Sequence, residues 1–72
     1  MANTEYYLEM REKIVEFLEL RGVATTEEIR VHCKDTYNVV YGQLMAMRNA
    51  NQLQSSRKRG GPCKWRITPR AA

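Results

Sequence analysis

The spacing of apolar residues changes period once along this chain, and that change restricts the fold more than any other feature. Up to about Asn51 the apolar positions recur at steps of three and four, as on a helix face. From Leu53 onward they alternate, as on a strand. Helices followed by a hairpin imply an α+β arrangement in which the helices cover one face of the sheet. A chain of 72 residues has room for one such arrangement, because domains this small bury roughly 60% of their unfolded surface and support one modest core. The expectation is a single domain over residues 1–72, a three-helix bundle with a C-terminal β-wing of two to three strands.

Local chemistry places the elements. A first helix is expected over about residues 4–21, with Tyr7, Met10, Ile14, Phe17 and Leu18 facing inward and Glu5, Glu9, Glu12, Glu16 and Glu19 facing out. Asn3 or Thr4 can cap its start, and Gly22 tolerates the left-handed conformation at its end. Val23-Ala24 is long enough for a brief strand. Thr25-Thr26-Glu27-Glu28 is a capping-box pattern that opens a second helix over about 26–33, where Ile29 and Cys33 lie one turn apart. Lys34-Asp35 breaks the period, and Thr36 is placed to cap a third helix over about 37–50 with Val40, Leu44 and Met47 inward and Asn51 ending it. A wing hairpin follows over about 52–68. Leu53 opens one strand, Arg57 to Pro62 turns the chain, and Cys63, Trp65 and Ile67 share a face of the return strand. Residues 69–72 read as a frayed tail.

Charge is divided between the two halves. Residues 1–35 carry all eight acids against five bases, a net −3, whereas residues 36–72 carry seven bases and no acid. Scattered solvated charges do not explain 37 residues without an acid; a face that docks on a polyanion does. Other classes find little support. Cys33 and Cys63 lack a companion at metal-ligand spacing, and His32 beside Cys33 points elsewhere on a helix, so neither a metal nor a cofactor is expected. Cys33 falls at a core spacing and reads as a small buried hydrophobe. No nucleophile and base, or pair of carboxylates, stands at meaningful spacing outside the acidic face, so no enzymatic activity is expected. No apolar run approaches the ~20 residues that cross a bilayer, and no signal-peptide layout is present. The expected location is the cytoplasm, on the nucleoid or, for a phage-encoded protein, in the host.

Helix, short strand, helix, turn, helix and basic hairpin together resemble the winged helix-turn-helix family over nearly the whole chain. Ile29, Cys33, Thr36 and Leu44 fall on that family's register for the second and third helices. Met47-Arg48-Asn49-Ala50-Asn51 followed by Leu53 resembles its passage into the first wing strand. The resemblance implies binding of double-stranded DNA, with the third helix in the major groove and the wing on phosphates or in an AT-rich minor groove. It assigns the contacts to Thr36, Tyr37, Asn38, Tyr41 and Arg48 and, on the wing, to Arg57, Lys58, Arg59, Gly60, Lys64 and Arg66, with Met45 also facing the groove. Asn38 is the candidate base reader, since asparagine pairs with the adenine edge, or else a second cap in the first helical turn. Tyr37 and Tyr41 either reach DNA or cover the rim of the core. A lone domain of this size contacts few base pairs, so a homodimer or cooperative assembly on DNA is expected to supply specificity. Such a protein would be a small transcriptional regulator or chromosome-associated protein; a protein-interaction module and an RNA-binding domain are the alternatives.

Two departures from the family qualify that picture. Asp35 stands at a normally apolar position, and Gly42 stands where many members carry an Arg or Lys that grips DNA. Gly42 either admits close backbone approach to a partner or makes room for packing. A branch of the family that binds left-handed Z-form nucleic acid shares the spacing of Pro62 and Trp65. Its helical asparagine and tyrosine, however, align with Tyr41 and Met45, so the resemblance does not extend to its paired contacts. Trp65 is expected to fill the core between the wing and the first helix. The Arg59-Gly60-Gly61-Pro62 tip resembles the Arg-Gly core of AT-hooks, without the second arginine. It either inserts an arginine into the minor groove or serves only to turn the chain.

Overall fold

The computed structural model describes residues 4–69. Its elements run α1 (Thr4–Arg21), β1 (Ala24–Thr25), α2 (Thr26–Cys33), α3 (Tyr37–Asn49), β2 (Leu53–Arg57) and β3 (Cys63–Ile67). The strands form one antiparallel sheet in the order β1-β3-β2, so the brief β1 closes the edge of the wing and makes it three-stranded. Register pairs Ala24 with Trp65 across β1 and β3, and Leu53 with Ile67 through Arg57 with Cys63 across β2 and β3.

One core joins all the layers. Met10, Ile14 and Leu18 of α1, Ile29 and Cys33 of α2, and Val40, Leu44 and Met47 of α3 meet Ala24, Leu53 and Trp65 of the sheet. Trp65 is only 1% exposed, and its indole N–H donates to the Thr26 hydroxyl at 2.7 Å. That bond answers the one polar atom the indole brings into the core. Burial also pushes the Cys33 thiol up from its usual range, opposed by the neighbouring Lys13 charge, as suits a residue used for packing.

Several local expectations need correction. The short strand is Ala24–Thr25, one residue later than its apolar composition suggests, because its limits are set by pairing with β3. Tyr7 and Phe17 are only half-buried. Phe17 packs against the edge of the core and stacks on His32 at 4.4 Å between ring centres. Thr36 precedes α3 in extended conformation, but its hydroxyl caps nothing; the Asp35 carboxylate accepts from the Thr36 N–H at 2.7 Å instead. The turn into α3 is made by Lys34 at φ 55, and α3 stops at Asn49, two residues before the left-handed Asn51 at φ 62. A Cβ at Gly42 would meet no atom within 4 Å, so this glycine does not make room for packing. The capping box is complete: Thr25 Oγ1 accepts from the Glu28 N–H at 3.2 Å, and the Glu28 carboxylate accepts from the Thr25 N–H at 2.9 Å. Of the tail expected at 69–72, only Pro69 lies within the described residues.

Candidate nucleic-acid interface

Helical spacing sets Tyr37 and Tyr41 one turn apart on the outer side of α3, and both remain exposed, at 47% and 39%. Their rings stack 5.8 Å apart with planes 9° from parallel. The Tyr41 ring also meets Trp65 edge to face at 6.3 Å, so the shelf is braced from beneath by a core residue. Asn38 is exposed on the adjacent stripe of the helix, beside Gly42, and Thr36 is exposed at the helix start. Met45 is half-buried against the core. Arg48 sits in the last turn, at the far end of α3 from Tyr37, with its guanidinium 3.8 Å from Met45 Sδ.

The wing tip is a tight turn. The Gly61 N–H donates to the Lys58 carbonyl at 2.8 Å, and Gly60 has φ 74, as the third position of a type II turn requires. A Cβ on Gly61 would come within 3.4 Å of that same carbonyl. That distance is ordinary contact, so the turn requires a glycine at Gly60 and not at Gly61, and Arg59 stands at its apex. Arg57 folds back, donating from Nε to the Gly61 carbonyl at 3.2 Å. Strand alternation puts Arg57 on the face shared with Cys63 and Trp65, and puts Lys64 and Arg66 on the other. Arg66 there donates to Gln54 at 2.9 Å.

The predicted site residues thus fall into two groups. Tyr37, Tyr41 and Arg57 converge, with Gly61, Pro62 and Cys63, around a cleft of about 270 Å³ lined also by Thr25, Thr26 and Glu27 where β1 passes into α2. Lys64 and Arg66 occupy the opposite face of the hairpin, and Arg48, at the end of α3, does not line the cleft. Sequence reasoning missed the cleft residues of α2. The spacing of Pro62 and Trp65 was visible, but only tertiary packing shows that the α2 start lies across from them. A larger groove of about 750 Å³, lined by Leu8, Val15, Met47, Ile67 and Pro69 among others, contains none of the predicted site residues.

The electrostatics follow the division seen in the sequence. Among the described residues the salt bridges are Arg21–Glu28, at 2.8 Å, and Arg30–Glu27, both in the N-terminal half. Among the described residues no carboxylate pairs with Arg48, Arg57, Lys58, Arg59, Lys64 or Arg66. Glu28 is held below the usual carboxylate range, chiefly by the Thr25 backbone N–H, and Glu27 chiefly by its hydrogen bond from Arg30.

No protein-family model matches the sequence, and no curated protein matches it either. Solved structures do. The Zalpha domain of PKZ in complex with ds(CG)6 superposes with a TM-score of 0.79 at 18% identity, over 85% of this chain and 97% of that one. The chain has a winged helix-turn-helix fold. The Zalpha domain of Carassius auratus PKZ in complex with Z-DNA gives 0.74 at 23% identity, over 85% and 95%. The apo-Zalpha of zebrafish PKZ gives 0.81 at 17%, over 88% and 97%. At such identities the likeness establishes the winged helix and its element order, and the contacts have to be argued from this chain's own residues.

Proposed function

We propose that this winged helix binds double-stranded DNA, with the outer side of α3 against a groove and the wing against the backbone, and does no chemistry on it. The observation that carries the reading is the set of cations from Arg48 to Arg66 left without a carboxylate partner. Cations without a carboxylate partner at the end of α3 and along the wing are the electrostatic footprint of a polyanion site. Asn38, exposed on α3, is the base reader in this arrangement. Assembly of several copies, or a dimer, supplies the reach that one domain lacks, and the role is that of a small regulator or chromosome-associated protein.

Two forms of duplex are in competition. Arg59 at the apex of the wing turn favours insertion into a narrow, AT-rich minor groove, whose negative potential attracts arginine. The likeness to domains crystallised with Z-DNA and ds(CG)6 favours a left-handed duplex. A mobility-shift comparison of AT-rich and alternating CG duplexes, with circular dichroism of the CG duplex, separates them. Minor-groove insertion predicts tighter binding to AT-rich DNA, and a larger affinity loss there for Arg59→Ala than on GC-rich DNA. Left-handed recognition predicts inversion of the CG duplex spectrum on adding protein. Absence of binding to any duplex at low salt overturns the DNA reading in favour of a protein-interaction module, and preferential capture of RNA in competition overturns it in favour of RNA.

A further inference from the structure

We infer that the cleft between the tyrosine shelf and the wing receives a single unstacked nucleobase, an inference that rests on the nucleic-acid reading of this face. Tyr37 and Tyr41 are stacked, 9° from parallel, and both are more than one-third exposed, so a ligand ring can extend the stack on an outer face. The shelf is held in place. Tyr41 abuts Trp65, and Trp65 is fixed in turn by its bond to Thr26. Gly61 and Pro62 of the wing line the same slot of about 270 Å³.

The charges around the slot orient the ligand. Arg57 lies at one edge and suits a phosphate. Glu27 also lines the slot, but its carboxylate is already paired with Arg30, which leaves Arg57 as the lining cation without a carboxylate partner. A nucleotide therefore enters with its ring against the tyrosines and its phosphate toward Arg57. Inside an intact duplex both faces of every base are covered by its neighbours, and the grooves present only edges. A shelf that offers a ring face needs a base whose own face is free, as in a bulge, a mismatch or a single strand.

The test is a fluorescence-anisotropy comparison, at one salt concentration, of a perfect duplex and a single-base-bulged duplex with equal numbers of phosphates. The bulged duplex is expected to bind about tenfold tighter, the scale of stacking one base on an aromatic ring. That ratio should fall to near unity in Tyr37→Leu and persist in Tyr37→Phe, with thermal unfolding checking that each variant is folded. Equal affinity for both duplexes overturns the base slot while leaving duplex binding intact, as does a ratio unchanged in Tyr37→Leu. Binding of the bulged duplex alone supports the slot and overturns the duplex reading, and binding of neither overturns both.

Discussion

Trp65 shows how one residue joins the core to the site. Its ring fills the space between helices and sheet, its N–H is answered by Thr26 at 2.7 Å, and its upper edge supports Tyr41. Removing the acceptor leaves a buried donor unsatisfied, which costs about 1 to 3 kcal/mol. Thr26→Val is therefore expected to lower stability by about that amount in denaturant unfolding, whereas Thr26→Ser, which keeps the oxygen, should lose much less. Equal losses for the two variants would show that the hydrogen bond contributes little. Leu44, with no exposed surface, leaves a cavity when truncated, and Leu44→Ala should cost about 2 to 5 kcal/mol in the same experiment. At this scale the sequence was a good guide to burial and a poor one to hydrogen bonding. Met10, Ile14, Leu18, Val40, Leu44 and Met47 follow from helical period. The Trp65–Thr26 bond joins residues 39 apart, and no local pattern indicates it.

Each element behaves according to its ends. α2 begins with a capping box whose Glu28 carboxylate is stabilised as an anion, and Glu27 beside it is stabilised by Arg30. A carboxylate with a lowered folded-state pKa contributes stability that is full at neutral pH and is lost as pH falls through that lowered value. Melting temperature should accordingly fall on acidification from about pH 5 toward about pH 2, and Glu28→Gln should flatten that decline. An identical acid limb in the variant would remove Glu28 from the account. In α3, Gly42 has open space where a Cβ would sit. Gly42→Ala should stabilise the helix by about 0.5 to 1 kcal/mol, while weakening duplex binding if the glycine serves close approach to the phosphate backbone. Unfolding and anisotropy on the one variant measure both effects. Helix limits were legible within a residue or so because caps and left-handed ends are local chemistry. β1 was misplaced by one residue because a strand of two residues exists only through its partner.

Over the whole molecule, the sequence's division of charge becomes a division of surface. The five glutamates of α1 are exposed on one side, and the unpaired cations lie at the end of α3 and along the wing. The winged architecture was legible because the apolar period changes once and the turn residues punctuate it. The site was legible only as a list: Tyr37, Tyr41 and Arg57 converge on one cleft, while Lys64 and Arg66 turn to the other face of the hairpin. Strand alternation placed Lys64 and Arg66 opposite Trp65, but which face of the hairpin meets α2 depends on how the helices pack. The central claim is that the unpaired cations neutralise nucleic-acid phosphates, and the salt dependence of duplex affinity tests it most directly. With about four to five phosphates neutralised, a plot of log affinity against log salt should have a slope near −4, from counterion release. A slope near zero would contradict the account.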